Sequence, residues 1–234
     1  MKPLVLIPGF MLDEQIWCRM EPQLGAVRTV VHPRIYGGET IADMARKILE
    51  VAPPVFSLTG FSMGGFIARE MCRLAPDRVD KLVLVATSAR GDSESRKAVK
   101  AAALGTVAGF RGVSRSSIRR SLSAAFQQDG PLIEMIRDMS IRLGADVFAQ
   151  QLAMPRDGDL DRLQDIQCAT LVVAGASDAL RRIEEAHELV AGIPGARLRV
   201  LPTGHMIPLE MPDQLFAEIH EFLTCERAHG PRPV

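Results

Sequence analysis

The sequence predicts an α/β fold with a mostly parallel sheet of about six strands flanked by helices. Two observations predict it. Short apolar runs recur along the 234 residues with helical patterns between them, which is typical of parallel β-α-β units. One of these runs leads through a glycine-rich turn straight into a helical pattern, at residues 55–68. We therefore expect a ligand site at the carboxyl ends of the strands, where open α/β sheets bind ligands.

Six apolar runs suit buried parallel strands, near residues 4–7, 27–31, 55–59, 82–86, 170–174 and 198–201. The apolar spacing between them predicts four helices, near residues 41–50, 63–74, 183–191 and 212–223.

One long segment, residues 90–157, contains no convincing strand but several helical patterns. Ser114 is a plausible N-cap for one apolar face, and a second face follows it. The first face comprises Ile118, Leu122, Ala125 and Phe126, and the second comprises Leu132, Met135, Ile136 and Met139. Two interpretations compete: a lid over a binding site, or helices that only thicken the core. Because the segment leaves the sheet at the carboxyl end of a strand, its position favours the lid.

This pattern predicts a core of residues 1–89 and 158–227, an inserted helical lid at 90–157, and a flexible tail at 228–234.

Composition argues against several classes of partner. Lys plus Arg equals Asp plus Glu at 28 each, so nothing points to nucleic acid or an anionic membrane. No apolar stretch is long enough to span a membrane, and the apolar run at the start is too short for a signal peptide. The four scattered cysteines suit reduced thiols better than disulfides or zinc. We expect a cytoplasmic protein that needs no metal and no organic cofactor.

The turn at Gly60-Phe61-Ser62-Met63-Gly64 predicts a nucleophile elbow. A serine between a strand and a helix must adopt a strained conformation to expose its hydroxyl, so the positions two before and two after it need almost no side chain. Gly60 and Gly64 meet that need. A glycine-rich structural turn is the alternative interpretation.

A serine hydroxyl is a poor nucleophile unless a histidine takes its proton and a carboxylate orients that histidine. His205 follows the last predicted strand in Pro202-Thr203-Gly204-His205, a loop that can turn sharply. The other four histidines fit poorly, because they precede the serine, lie in helical patterns or lie in the tail: His32, His187, His220 and His229. The alternative for His205 is an ordinary surface residue.

Asp178 is the candidate acid, because it lies in the loop Gly175-Ala176-Ser177-Asp178 after a late strand. After the run at 82–86, the next carboxylate is as distant as Asp92, so that position is less suitable. A cap or turn aspartate is the alternative.

The oxyanion of an acyl-transfer reaction needs two backbone N–H donors. Met63, directly after the serine, supplies one. Phe10, in Pro8-Gly9-Phe10 after the first strand, is the candidate for the second. Since the donor is a backbone group, an ordinary Pro-Gly turn is the alternative here.

Taken together, the Phe10 loop, the serine turn, the Asp178 loop and Gly204-His205 resemble the α/β-hydrolase superfamily over nearly the whole chain. The chain is most similar to small lidded carboxylesterases and lactonases, a branch with the pimeloyl-carrier-protein methyl ester esterases and the 3-oxoadipate enol-lactonases. The resemblance implies catalysis by Ser62, Asp178 and His205. Pro8 stands where many members have histidine, and because the sequence begins almost at the strand before the Phe10 loop, we expect a sheet without the family's opening antiparallel strands.

The leading hypothesis is hydrolysis of a small carboxylic ester or lactone through an acyl-Ser62 intermediate. Two alternatives stay open: carbon-carbon bond hydrolysis or a lyase reaction on the same fold, and a non-catalytic ligand-binding protein.

Residues 90–157 carry eleven basic and seven acidic side chains, and Arg111, Arg115 and Arg119 would share one face of a helix. This predicts either an acidic or carrier-protein-linked substrate or simply a solvated helix face. The sequence does not indicate an oligomeric state.

Overall fold

The computed structural model describes residues 1–225, so the predicted tail at 228–234 lies outside the described residues. Its sheet has six strands, all parallel, in the order β2-β1-β3-β4-β5-β6. The strands are β1 (Leu4–Ile7), β2 (Val30–Val31), β3 (Phe56–Phe61), β4 (Val79–Val85), β5 (Ala169–Gly175) and β6 (Arg197–Leu201). The prediction of a parallel sheet of about six strands is confirmed.

Six helices flank the sheet: α1 (Glu21–Val27), α2 (Ile41–Val51), α3 (Met63–Leu74), α7 (Ile183–Gly192), α8 (Ile207–Glu210) and α9 (Pro212–Thr224). Three more belong to the segment at 90–157: α4 (Glu94–Leu104), α5 (Arg115–Ser121) and α6 (Gly130–Ala153). Short 3₁₀ turns lie at Glu14–Trp17, Val107–Gly109 and Leu160–Asp165. The predicted strand at 27–31 was too long, because Val27 ends α1 and only Val30–Val31 pair with β1.

The core lies on both faces of the sheet. Side chains alternate along a strand, so Leu4 and Leu6 enter one apolar cluster and Val5 and Ile7 enter the other. All four are fully buried. The central strands are therefore covered by helices on both sides, which explains their nearly continuous apolar runs.

The insertion, residues 90–157, is closed at its base by an antiparallel bridge between Arg90 and Gly158. Ser114 caps α5 as predicted, since its hydroxyl accepts a hydrogen bond from the N–H of Ser117 at 3.2 Å. The helix ends sooner than expected, because Leu122 adopts an extended conformation and the next N–H donates to a carboxylate outside the insertion. Ala125 and Phe126 therefore do not continue the face of α5.

A buried ion-pair network ties α3 to the chain that follows the insertion. Arg69 donates two hydrogen bonds to the carboxylate of Asp159, at 2.7 and 2.8 Å, and Arg73 donates a third at 2.8 Å. Arg69 is fully buried, and the side chain of Asp159 is 9% exposed. Burial alone would raise the pKa of Asp159, but the hydrogen bonds and charges of the two arginines outweigh it and lower that pKa.

We expect Asp159→Asn to lower the free energy of unfolding by about 3 kcal/mol at neutral pH, because it leaves Arg69 buried without its counter-charge. Since the folded-state pKa of Asp159 is depressed, the wild-type advantage is complete above about pH 4 and declines at lower pH. Urea denaturation of the wild type and the variant at pH 7 and pH 3 measures this difference in the free energy of unfolding. Asp161→Asn, an exposed aspartate nearby, is the control. Equal losses in both variants would contradict the role of the network.

Candidate active site

Ser62 lies at a sharp turn between β3 and α3, with φ +52° and ψ −112°. Few residues other than glycine adopt a positive φ, and holding one there costs about 1–3 kcal/mol. Two hydrogen bonds fix the turn: the N–H of Ser62 donates to the carbonyl of Val85 at 2.9 Å, and the hydroxyl of Thr87 donates to the carbonyl of Ser62 at 2.7 Å. The serine hydroxyl is thereby held at the carboxyl edge of the sheet.

The two glycines beside the serine are required by close backbone contacts. A Cβ on Gly60 would lie 2.5 Å from the carbonyl oxygen of Gly64, and a Cβ on Gly64 would lie 2.5 Å from the carbonyl oxygens of Ile7 and Pro8. Neither position has room for a side chain. Because Gly60 and Gly64 have no side chains, α3 can pack closely against both β3 and the loop after β1.

The structure brings the three predicted side chains into one hydrogen-bonded row. His205 Nε2 lies 3.0 Å from Ser62 Oγ, and His205 Nδ1 lies 2.7 Å from Asp178 Oδ2. The other carboxylate oxygen of Asp178 accepts hydrogen bonds from the N–H groups of Leu180 and Arg181, at 2.8 and 2.9 Å. The side chains of His205 and Asp178 are only 4% and 1% exposed. A buried carboxylate thus orients the imidazole toward the serine hydroxyl.

Glu210 holds the histidine loop, a role that no pattern in the sequence predicted. It is 6% exposed, and its carboxylate accepts hydrogen bonds from the N–H groups of Gly204, Met206 and Ser123, at 3.0–3.1 Å. The N–H of His205 also donates to the carbonyl of Ser121 at 2.8 Å. The end of α5 is therefore bonded to the histidine loop at two points.

The two predicted oxyanion donors are available. Within residues 1–225, neither the N–H of Phe10 nor that of Met63 has a hydrogen-bond partner. Met63 is the first residue of α3, where the helix leaves its N–H groups free. Next to Phe10, the N–H of Met11 donates at 2.8 Å to the side-chain oxygen of Gln151, whose amide in turn donates to the carbonyl of Ile35. Gln151, which the sequence did not single out, fixes the loop from the insertion.

A cavity of about 670 Å³ opens beside Ser62 and His205, between the sheet edge and the insertion. Three aromatic rings form a wall of the cavity between the sheet edge and the insertion. Phe148 of α6 stacks on Phe110 with 4.3 Å between the ring centroids, and its centroid lies 6.0 Å from that of Phe10. Six cationic side chains also line the cavity: Arg96, Lys100, Arg111, Arg120, Arg156 and Arg181.

Arg111, Arg115 and Arg119 would share one face only if residues 111–119 were helical, and the structure shows that they are not one helix. α5 begins only at Arg115, because the chain turns at Gly112 (φ +92°) and Ser114 caps the helix. Arg115 forms an exposed ion pair with Glu134 at 2.5 Å, and of the three arginines only Arg111 lines the cavity. The other five cations that line the cavity come from other positions.

Within residues 1–225, no cluster of three or more His, Cys, Asp or Glu side chains is arranged to hold a metal ion. The same residues contain no helix with the length and apolar character needed to cross a lipid bilayer.

Comparison with known proteins identifies the family. The model of the alpha/beta hydrolase family matches residues 4–219, nearly the whole chain. The chain belongs to the alpha/beta hydrolase family. This confirms the resemblance and the fold class expected from the sequence.

Two relatives of this hydrolase-family chain differ in how much of their length it spans. The pimeloyl-[acyl-carrier protein] methyl ester esterase of Aromatoleum aromaticum is 27% identical over 90% of this chain and 93% of the esterase. A dihydrolipoyllysine-residue acetyltransferase component of the acetoin cleaving system, from Pseudomonas putida, is 32% identical over 94% of this chain. The match spans 63% of that acetyltransferase component, less than two thirds of its length.

Solved structures support the same family assignment. A thermophilic esterase from Thermogutta terrifontis superposes with a TM-score of 0.85 and 28% identity, covering 95% of this chain and 89% of the esterase. The enol-lactonase of Burkholderia xenovorans also superposes with a TM-score of 0.85. Its sequence is 22% identical, and the superposition covers 96% of this chain and 92% of the lactonase chain. At that identity the likeness to the lactonase shows the fold alone.

The close contacts at the hydrolase elbow predict a stability difference between two glycines. Gly64→Ala should lower the free energy of unfolding by about 1–3 kcal/mol, because the new methyl group overlaps the carbonyls of Ile7 and Pro8. Gly25→Ala in α1, where a Cβ meets nothing within 4 Å, is the matched control and should raise it by up to about 1 kcal/mol. Chemical denaturation compares them. A Gly64→Ala protein as stable as Gly25→Ala would contradict the contact.

Proposed function

We propose that this protein is a serine hydrolase that cleaves a small carboxylic ester or lactone through an acyl-serine intermediate. The observation that carries the proposal is the buried row from Asp178 through His205 to Ser62, which ends beside two unpartnered N–H groups. Each part of acyl transfer has a group at hand: a nucleophile, a base that is held by a carboxylate, and donors for the oxyanion.

In the first half of the reaction, Ser62 Oγ attacks the carbonyl carbon of the substrate while His205 Nε2 takes the hydroxyl proton. The carbonyl π bond opens, and its oxygen becomes an anion that accepts hydrogen bonds from the N–H groups of Phe10 and Met63. The intermediate then collapses, and the carbon-oxygen bond to the alcohol breaks. The imidazolium gives its proton to the departing oxygen, which leaves an ester of Ser62.

In the second half, His205 removes a proton from a water molecule as the water oxygen attacks the acyl carbon. Collapse of this second intermediate breaks the bond to Ser62 Oγ, which recovers its proton from the imidazolium. The acid product leaves and the free enzyme is restored. With a lactone the alcohol and the acid are two ends of one product molecule.

We also propose that the insertion, residues 90–157, acts as a lid over this site. Its residues Phe110 and Phe148 form part of the cavity wall, and Gln151 contacts the loop that carries one oxyanion donor. Two relatives support an ester substrate: their names describe a methyl ester esterase and a thermophilic esterase.

Ser62→Ala should reduce kcat for p-nitrophenyl acetate or butyrate by more than about 10⁴-fold, because no other group replaces the nucleophile. Initial rates of nitrophenolate release measure this. Ser177→Ala, an exposed serine next to Asp178, is the control and should retain wild-type rates. Full activity in Ser62→Ala would refute the mechanism.

Asp178→Asn should reduce kcat by about 10³–10⁴-fold, because an amide in this position favours the wrong tautomer of His205. The carbonyl oxygen of asparagine can still accept the hydrogen bonds from Leu180 and Arg181, so the loop should keep its fold. Circular dichroism and thermal melting check the fold, and steady-state kinetics check the rate. A loss of less than tenfold in a folded variant would mean that Asp178 does not orient His205.

A further inference from the structure

We propose that Arg156 and Arg181, supported by Arg96, form a subsite in the cavity for a carboxylate carried by the substrate. The inference rests on the proposed function for the reaction. It narrows the proposed substrates to lactones that carry a carboxylate and to anionic esters, such as half-esters of dicarboxylic acids.

The wall of the cavity carries an excess of positive charge. Among the described residues that line the cavity, six are cationic and none is Asp or Glu. The nearby carboxylate of Asp92 accounts for only part of this charge: it accepts a hydrogen bond from Lys100 at 2.8 Å and lies 3.7 Å from Arg96. A cavity with this excess of positive charge attracts an anion and repels a cation.

Arg156 lies in a largely apolar environment. One of its terminal nitrogens lies 3.1 Å from the sulfur of Met63, and its guanidinium carbon lies 5.7 Å from the centre of the Phe10 ring. Its buried Nε has no hydrogen-bond partner in the described part of the chain. Burial lowers the pKa of Arg156. The charge of Asp92 opposes this effect, and a terminal nitrogen of Arg156 also donates to the carbonyl of Gln151 at 3.5 Å. Within residues 1–225, however, Arg156 forms no ion pair, and a bound anion would offset the cost of its partial desolvation.

The position of Arg156 relates the subsite to the reaction. Arg156 contacts the side chains of Met63 and Phe10, the two residues whose backbone N–H groups are proposed to bind the oxyanion. Arg156 and Ser62 line the same cavity, so one substrate molecule can place its anionic group at Arg156 and its ester bond at Ser62. Such binding orients the ester bond before attack on it.

Arg181 brings a second guanidinium to the cavity from the chain directly after the Asp178 loop. Its side chain is 10% exposed, and its ion-pair contact with Glu185 is long, at 3.5 Å. Burial first, and then the positive charge of Arg96, lower the pKa of Arg181 to about 10. Arg156 adds to this effect, so the three guanidinium groups repel one another. An anion placed among them would relieve that repulsion.

The location of these side chains favours a small anionic group over an acidic protein surface. Arg156 and Arg181 line the cavity and are largely buried, whereas the exposed Arg115 on the insertion is already paired with Glu134. A carboxylate that enters the cavity can reach the first two, and a bulky partner outside cannot.

Two matched pairs of esters test the subsite: p-nitrophenyl hydrogen glutarate against p-nitrophenyl pentanoate, and 4-acetoxybutanoate against butyl acetate. In at least one pair, kcat/KM should favour the charged ester by about tenfold or more. Arg156→Gln and Arg181→Gln should each lower this ratio by about tenfold, and Arg156→Lys should restore part of it. Arg115→Gln, an arginine of the insertion outside the cavity, should leave both the activity and the ratio at wild-type values.

A binding measurement separates this inference from the proposed function. Calorimetry can measure the affinity of the Ser62→Ala variant for glutarate without any catalysis. Introducing Arg156→Gln into this variant should weaken glutarate binding by about tenfold. Hydrolysis of neutral esters with no preference in either pair and no glutarate binding would overturn the subsite while the proposed function stands. Arginine-dependent glutarate binding without hydrolysis of any ester would support the subsite and overturn the proposed function.

Discussion

The close approach of α3 to the loop after β1 determines the geometry of the whole site. At Gly64 the backbone of the helix lies against the carbonyls of Ile7 and Pro8, with no room for a Cβ. This contact holds the start of α3, with Met63, against the loop that carries Phe10, and a Cβ on Gly9 of that loop would lie 3.2 Å from the Cβ of Ser62. Ser62 has a positive φ, a strain of about 1–3 kcal/mol, and the hydroxyl of Thr87 donates a hydrogen bond to its carbonyl.

The insertion is bonded to both halves of the site. Gln151 of α6 accepts a hydrogen bond from Met11 in the oxyanion loop, and the end of α5 is bonded to the histidine loop through Ser121 and Glu210. A movement of the insertion would therefore disturb the Phe10 loop and the His205 loop together. The shape of the cavity and the alignment of the proposed catalytic groups consequently depend on the same contacts.

The sequence predicted the parts of the molecule that local rules determine. The bounds predicted for α3 agree with the structure, because a strong apolar period follows a glycine-rich turn, and the Asp178 and His205 loops follow strands in the expected order. It failed where tertiary contacts decide: the length of β2, the early end of α5 at Ser121, and the cations that face the cavity. Glu210 and Gln151 had no periodic or spacing signal, since their roles depend on hydrogen bonds from Ser123 and Met11, which lie far away in the chain.

If the fold activates Ser62 and no other serine, a fluorophosphonate probe should modify that residue alone, because the probe reacts with an activated serine and not with an ordinary hydroxyl group. Mass spectrometry after treatment should show one adduct per chain, on the peptide that contains Ser62. Labelling should be slower when His205 is replaced by Ala. An unmodified Ser62, or labelling spread over several serines at similar rates, would contradict this prediction.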